Sequence, residues 1–432
     1  MKKYLFLMAA MAIGSMLMLS CSTSDEDSDT VKKVVNMVAD IKPIQLTEPQ
    51  KLFVNDNNQF ALNYLKTAND ADKSEKSFIY SPLSITYVLG MVNDATTGQT
   101  EKELEQTLGF HEGGIQAVND YCKNLIDNLP KVDEKVTLNI ANAIFLNKNY
   151  VLKSQFEADM KTYYDAKAAT LDFNDVKKST EAINKWCNEK TRGMIPNIID
   201  AVKPDAMSYL LNAIYFKADW TSKFDPKNTK NETFTTQGGT TKLPMMHQDV
   251  LIRYTKNETY SAVEIPYGNK MWTMTVLLPE DGKTTDDVID YLAQTGWTLG
   301  YANTPMSGAR THEVDLKLPR YETSSDTDNM EGGLISLLQK MGIHRTFDSN
   351  NTEICNMCSL PVYISMMRQK AKIKVNEEGS EAAAVTVAEG YVNAAMPETI
   401  PTATFHADHP FVYVIREASS GVILFVGKFT GA

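Results

Sequence analysis

The chain has 432 residues, of which 43% are hydrophobic and 9% aromatic, an ordinary composition for a globular protein with a large core. The formal net charge is -11 at pH 7, so binding to nucleic acid would need a local basic stripe, and the sequence contains none. We therefore expect no nucleic-acid partner.

The first residues have the order of an export signal. Two lysines precede an apolar run over residues 4–19, which is shorter than the roughly 20 residues of a membrane-spanning helix. The run ends in LMLSC, which resembles a bacterial lipobox. The pattern predicts a lipoprotein signal peptide over residues 1–20 and a diacylglycerol on the thiol of Cys21. Ordinary signal cleavage is the alternative.

The segment after Cys21 reads STSDEDSDT, which is acidic and has no large apolar side chain to pack. It predicts a solvated tether, so that residues 21–44 comprise the lipidated cysteine and this tether. The segment resembles the acidic export tag of surface lipoproteins in Bacteroides-like bacteria. We expect an exported outer-membrane lipoprotein at the cell surface, in contact with the membrane through its lipid anchor only.

Four further cysteines are scattered along the chain, at Cys122, Cys187, Cys355 and Cys358. The last two form a CxxC, but the second CxxC or nearby histidine pair of a zinc site is missing. We predict neither a metal site nor a cofactor. A local disulfide and two free thiols both fit Cys355 and Cys358.

Residues 45–432 contain no linker or low-complexity break, which predicts one domain. Helical spacing of apolar residues follows SPLS, at Ile85, Val88, Leu89 and Val92. Strand patterns dominate later, as in SAVEIPYGNKMWTMTVLLPED, where two β-rich runs flank a glycine-containing turn. Helices and strands do not alternate regularly, so the predicted class is α+β.

A catalytic centre is not indicated by the sequence. The histidines available as bases are His111, His247, His312, His344, His406 and His409. None lies in HExxH, and GxSxG, a Walker loop and GxGxxG are all missing. We predict that the chain is not an enzyme.

The unusual segment follows Lys374, because no further Lys or Arg occurs before Arg416. Read with the period of a strand, one face carries only small or uncharged residues: Ser380, Ala382, Ala384, Thr386, Ala388, Gly390 and Val392. Such a face suits a strand that must slide over a packed core. An alanine-rich helix or a plain edge strand also fits the pattern.

The sequence EEGSEAAAVT within this segment resembles the hinge of inhibitory serpins. Other blocks resemble serpins in the same order along the chain: SPLS, ANAIF, INKWCNEKTRGMIP, LNAIYFKADW, PMMHQ and DHPFVYVIRE. The resemblance implies the serpin fold, with three β-sheets, about eight or nine helices and an exposed reactive-centre loop over residues 377–404. It also implies a metastable native state.

The resemblance further implies a suicide-substrate inhibitor, a monomer whose partner is a target endopeptidase held in a covalent complex. Cleavage of the loop would let its N-terminal part enter the central sheet, which carries the acylated protease away. Serine endopeptidases are the expected targets, and papain-like enzymes are also open. The alternative is a non-inhibitory serpin that acts as a surface binding protein.

The resemblance places functional residues on three parts of this chain. The reactive bond follows Asn393 and precedes Ala394, with Ala395 and Met396 as alternatives because the loop is several residues longer than usual. The sheet-opening residues are Ser81, Ser84, Asn212, Trp220 and Gln369, with Gln369 at a position where many serpins have histidine. The hinge comprises Glu377, Glu378, Gly379, Ser380, Glu381, Ala382, Ala383, Ala384, Val385 and Thr386.

The lack of basic residues in the loop bears on target choice. Trypsin-like enzymes have an acidic specificity pocket and need Lys or Arg. The Val, Ala, Met and Tyr residues near Asn393 suit the pockets of elastase-, subtilisin- or chymotrypsin-like enzymes instead.

Overall fold

Helices come first along the chain, and strands dominate its second half. The computed structural model describes residues 42–72, 74, 76–297, 304–360, 362–380 and 400–431. These residues belong to a single unit, Ile41–Ala432. They contain eight α-helices: α1 (Glu48–Ala71), α2 (Pro82–Asp94), α3 (Gly98–Leu108), α4 (Gly114–Asn128), α5 (Ser154–Tyr164), α6 (Val176–Lys190), α7 (Thr285–Thr295) and α8 (Gly333–Lys340).

Fifteen strands lie in the same residues. They are β1 (Phe78–Tyr80), β2 (Val136–Asn147), β3 (Lys167–Leu171), β4 (Ser208–Asp219), β5 (Lys230–Thr236), β6 (Gly239–Lys256), β7 (Tyr260–Tyr267), β8 (Trp272–Pro279), β9 (Arg310–Pro319), β10 (Tyr321–Asp326), β11 (Lys370–Val375), β12 (Gly379–Ser380), β13 (Thr402–His406), β14 (Phe411–Glu417) and β15 (Ile423–Phe429). The α+β class predicted from the sequence is confirmed.

The strands form a six-stranded and a nine-stranded sheet. The six-stranded sheet has the order β10-β11-β12-β4-β2-β3. The nine-stranded sheet runs β1-β15-β14-β8-β7-β6-β9-β13, with β5 on β6. Two of the three predicted sheets are thus continuous in the described residues, because β6 is 18 residues long and pairs with β5, β7 and β9.

Local sequence accounts for how the helices beside the six-stranded sheet begin. Ser81 caps α2, since its hydroxyl accepts a hydrogen bond from the Ser84 amide, and Pro82 occupies the first helical position. The predicted apolar face is buried at Ile85, Leu89 and Val92.

Strand β4 of the six-stranded sheet is covered on both faces along its first half. Along β4, Tyr209, Leu211 and Ala213 face a small core that includes Trp186 of α6. Phe216 and the intervening residues of β4 face the main core, to which α2 contributes. This alternation is the period of two expected for a strand buried on both sides. The central strand therefore cannot move without disturbing both cores.

Candidate functional site: the seam between β4 and β11

At the centre of the six-stranded sheet, the described residues leave a gap in the strand pairing. Between β4, with 12 residues, and β11, with six, the described residues include the two-residue strand β12. Gly379 pairs with Asp219, and Ser380 pairs with both Ala218 and Val375. Over residues 208–217 and 370–374, the described parts of β4 and β11 are not paired with one another. We call these two facing edges the seam.

Two cavities lie along the seam. The one beside Ser380 has a volume of about 20 Å³ and is lined by residues 214–216 and 372–374. The other has a volume of about 40 Å³ and is lined by residues 210–214 and 367–372. Such volumes hold water molecules but no strand. A strand needs about 4.8 Å of spacing from each neighbour, so the seam must widen to admit one.

A tight turn brings the chain from β11 back into the seam. The Asn376 side chain accepts hydrogen bonds from the amides of Glu378 (3.0 Å) and Gly379 (3.2 Å). Gly379 has φ 153, and a Cβ there would lie 2.1 Å from the Ala218 carbonyl oxygen. Only glycine permits this approach of two backbones. The glycine of the predicted hinge is thus the residue that lets β12 enter the sheet.

Trp220 lies at the end of the seam where β12 enters, which we call its entrance. Its indole Nε1 donates to the Asn376 carbonyl oxygen (2.9 Å), and its amide donates to that of Glu378 (2.8 Å). Its ring stacks on Tyr267 at 4.3 Å between centroids. The Tyr267 hydroxyl is 2.7 Å from Ser380 Oγ, and burial raises the pKa of this tyrosine. Trp220 and Tyr267 therefore hold both ends of the turn.

Charged groups fix the two glutamates before Gly379. The buried carboxylate of Glu377 accepts hydrogen bonds from Arg320 Nε (3.1 Å) and the Thr229 hydroxyl (2.6 Å). Burial opposes its ionisation, but these bonds outweigh burial, so the pKa of Glu377 lies below its ordinary value. Glu378 pairs with Lys223 at 2.6 Å. The hinge entrance is therefore held by ionic contacts from neighbouring loops and strands.

The other four sheet-opening residues predicted from the sequence lie at the far end of the seam, in two separate pairs. Gln369 Nε2 donates to the Ser81 carbonyl oxygen (2.7 Å), and its Oε1 accepts from the Ser81 amide (3.2 Å). Ser84 Oγ donates to the side-chain oxygen of Asn212, whose Nδ2 donates to Asn142 Oδ1 (2.9 Å). Gln369 thus ties β11 to the start of α2, while Asn212 ties β4 to the same helix.

Several predicted residues lie outside the described residues. They are Cys21 and, in the loop, Glu381, Ala382, Ala383, Ala384, Val385, Thr386, Asn393, Ala394, Ala395 and Met396. Their assignments stay predictions. The chain becomes described again at Ile400, and the Glu313 amide donates to the Pro401 carbonyl oxygen (3.0 Å). Strand β13 then runs parallel to β9, at the edge of the nine-stranded sheet.

The remaining sulfur and imidazole groups do not form a second site in the described residues. Cys355 and Cys358 are free thiols, the first exposed and the second buried. The described residues contain no group of three or more acidic, histidine or cysteine side chains placed to hold a metal ion. None of their helices has the length and hydropathy needed to cross a bilayer.

Some residues of the site were missed by the sequence reasoning. Arg320, Thr229 and Tyr267 come to the hinge from positions far away in sequence, and each is of a common type. Asn376 was detectable, because asparagine directly before a glycine-containing turn often accepts hydrogen bonds from the following amides. Asn142 lies inside the block ANAIF, but only its register opposite Asn212 reveals its role.

Comparison with known families identifies the architecture. Residues 55–431 match the family model described as serpin (serine protease inhibitor). The chain belongs to the serpin family. A leukocyte elastase inhibitor of Sus scrofa is 31% identical over 383 residues, covering 87% of this chain and 98% of that protein. A serpin-like protein of Thermococcus kodakarensis is 29% identical over 381 residues, covering 88% of this chain and 85% of that protein.

Solved serpin structures have the same fold. Tengpin, a thermophilic serpin in its native state, superposes with a TM-score of 0.76 at 23% identity, covering 91% of this chain and 96% of its own. A human thyroxine-binding globulin complexed with thyroxine superposes with a TM-score of 0.74 at 25% identity, covering 88% of this chain and 98% of its own. The serpin fold predicted from the hinge is confirmed. The family is one of protease inhibitors rather than catalysts.

The contacts of Arg320 and Thr229 with the Glu377 carboxylate, which we call the clamp, predict an acid-sensitive hinge. A carboxyl whose pKa is lowered in the folded serpin stabilises it above about pH 4.5, and this contribution is lost as the pH falls through the folded-state pKa. We expect Glu377→Gln to lower the free energy of unfolding by about 1–3 kcal/mol at pH 7, the contribution of hydrogen bonds to a charged group. The difference from wild type should shrink below pH 4.5.

Denaturant unfolding at a series of pH values measures this effect. The control is Glu313→Gln, an exposed carboxyl on β9, which should unfold like wild type throughout. A Glu377→Gln serpin as stable as wild type at pH 7 would contradict the clamp.

Proposed function

We propose that this serpin is inhibitory, a suicide-substrate inhibitor that traps serine endopeptidases. The observation that carries the proposal is the seam, where a two-residue strand starts between β4 and β11 and the described edges beyond it are not paired with one another. A longer strand entering there would complete the sheet. Backbone groups on both edges would gain partners, which is the driving force for insertion.

The length of the loop fits the length of the seam. Fourteen residues lie from Ser380 to Asn393, and β4 has 12 residues, or about 40 Å of strand. Insertion as far as Asn393 would thus extend along the whole of β4. A protease esterified to that residue would travel from one end of the sheet to the other.

The proposed reaction begins as ordinary proteolysis. The protease nucleophile attacks the carbonyl carbon of Asn393, the bond to Ala394 breaks, and the nitrogen of Ala394 leaves as an amine. The acyl-enzyme is now attached to a free chain end, which inserts into the seam before water hydrolyses the ester. Distortion of the carried protease would then stop deacylation, because catalysis needs its groups positioned to within about an ångström.

The target class follows from the side chains that the loop offers. It lacks Lys and Arg between Lys374 and Arg416, so elastase-, subtilisin- or chymotrypsin-like enzymes are the proposed targets, with papain-like enzymes as a further class. The likeness to a leukocyte elastase inhibitor supports this choice. The likeness to a thyroxine-binding globulin supports the alternative, a serpin that acts as a binding protein.

Incubation with elastase, chymotrypsin, subtilisin and papain tests the proposal. We expect a covalent complex on denaturing electrophoresis with at least one of them. Mass spectrometry of the released C-terminal peptide identifies the bond, with a peptide beginning at Ala394 expected. Clean cleavage of the loop by every enzyme without a complex would overturn the inhibitory proposal and favour the binding protein.

Substitutions on the two faces of the loop separate insertion from simple cleavage. Ala384→Arg puts a charge on the face that would be buried, and Ala383→Arg puts it on the opposite face. An unpaired buried charge costs several kcal/mol, so we expect Ala384→Arg to raise the stoichiometry of inhibition by about tenfold. Ala383→Arg is the control and should stay near wild type. Equal behaviour of the two variants would contradict insertion in this register.

We further propose that the serpin is a monomer anchored in the outer membrane through a lipid on Cys21 and displayed at the cell surface. The LMLSC sequence and the acidic segment after it support this location. In a bacterial host we expect Cys21→Ser to move the protein from the membrane fraction to the soluble fraction. Ser22→Ala serves as control. Membrane retention of the Cys21→Ser variant would argue against the anchor.

A further inference from the structure

A line of hydrogen bonds leads from the seam to a buried carboxylate. It begins where Ser84 donates to Asn212 and Asn212 donates to Asn142. Asn142 Nδ2 then donates to the backbone carbonyl oxygen of Tyr164 at 2.6 Å. The hydroxyl of the same tyrosine donates to Asn119 Oδ1 at 2.8 Å.

The line ends at Asp94. Asn119 Nδ2 donates to Asp94 Oδ1 at 2.6 Å. Asn142, Tyr164, Asn119 and Asp94 are all at most 9% exposed. Every side-chain donor therefore points away from the seam and toward Asp94, the one group in the line able to carry a negative charge at neutral pH.

The line starts and ends on the same helix. Ser84 lies in the first turn of α2, and Asp94 is its last residue. Gly90, one turn before Asp94, makes room for the tyrosine, since a Cβ there would lie 2.8 Å from the Tyr164 hydroxyl. The helix is thus built to receive the line at its C-terminal end.

Asp94 changes its protonation state at mildly acidic pH. Burial raises its pKa to about 6, the hydrogen bond from Asn119 opposes this rise, and the charge of Asp159 adds to it. Tyr164 on α5 also interacts with Asp94, and Cys122 on α4 is hydrogen-bonded to Tyr164; burial raises the pKa of both groups. None of these neighbours supplies a positive charge.

We propose that Asp94 is a positioning residue for the seam: its protonation state is transmitted through this line to Asn212 and Ser84 and sets how readily β4 separates from β11. Ionised Asp94 accepts a charge-assisted hydrogen bond, which is stronger than a neutral one and polarises the next bond in the line. Tyr164 joins the two halves, since its hydroxyl is held on one side and its carbonyl on the other. The regulatory consequence rests on the proposed function, in which the loop enters the seam.

Acid should then have opposite effects on two properties. The raised pKa means that the folded protein binds the Asp94 proton more tightly than the unfolded chain, so the contribution of Asp94 to the unfolding free energy rises as the pH falls from about 7 toward 4. The seam should instead open more readily in the same range, because the neutral carboxyl holds Asn119 more weakly. A general stabilisation of the fold would instead slow both global unfolding and opening of the seam.

Hydrogen exchange measured by mass spectrometry on residues 208–217 and 370–375 tests the proposal without a protease. Dividing the variant rate by the wild-type rate at the same pH cancels the intrinsic pH dependence of exchange. We expect Asp94→Asn to exchange about two- to fivefold faster than wild type at pH 7.5 and equally fast at pH 5. The control Asp120→Asn, an exposed neighbour on α4, should give a ratio of one at both pH values.

Tyr164→Phe tests transmission apart from protonation of Asp94, because it removes the hydroxyl by which Tyr164 is bound to Asn119 and keeps the carbonyl oxygen that accepts from Asn142. Its exchange rate along the seam, divided by the wild-type rate, should match that of Asp94→Asn. Its free energy of global unfolding should keep the wild-type dependence on pH. In Asp94→Asn that dependence between pH 4 and 7 should be reduced.

Two results would overturn the proposal: an Asp94→Asn ratio that does not change with pH, or a Tyr164→Phe ratio of one at pH 7.5. If the expected exchange ratios are observed but no covalent protease complex forms, only the proposed inhibition would be overturned.

Discussion

The facing edges of β4 and β11, which are not paired with one another in the described residues, are the constraint on which the rest of this structure depends. Buried backbone groups need hydrogen-bond partners, and a sheet normally supplies them from the adjacent strand. In the described residues, the strand between β4 and β11 is the two-residue β12, and beyond it the edges of β4 and β11 are not paired with one another. Side chains from other elements hold the described residues at both ends of the seam.

At the end of the seam beside Ser380, side chains from several elements hold the turn that leads into β12. Gly379 permits entry because only glycine fits against the Ala218 carbonyl. The Trp220 ring stacks on Tyr267, and its indole donates a hydrogen bond to the backbone of the turn. The Tyr267 hydroxyl lies within hydrogen-bond distance of Ser380 Oγ. The clamp on Glu377 fixes the chain just before the turn. In the proposed mechanism, the loop would insert past these contacts, so the same few residues would both admit and restrain it.

The hinge could be proposed from the sequence because its information is local: EEGSEAAAVT carries glycine, small residues and a period of two in one stretch. The α+β class followed from periodicity alone. The partners of the hinge were not predictable, since Arg320 and Tyr267 reach it only through the sheet topology. The polar residues at the far end were grouped correctly around the start of α2. Their division into Gln369 with Ser81 and Asn212 with Ser84 depends on rotamers, which sequence patterns do not specify.

Two carboxylates, one at the entrance of the seam and one at the end of the hydrogen-bond line that leads away from it, illustrate how environment decides the response to pH. Both are buried, and burial alone raises a carboxyl pKa. Glu377 lies beside the guanidinium of Arg320, so its charged form is favoured despite burial. Asp94 has only the Asn119 amide and the nearby negative charge of Asp159, so its neutral form is favoured up to about pH 6. Glu377, at the entrance of the seam, therefore stays charged at pH values at which Asp94, at the end of the line, is neutral. Mild acid can then loosen the seam along β4 while the hinge remains clamped.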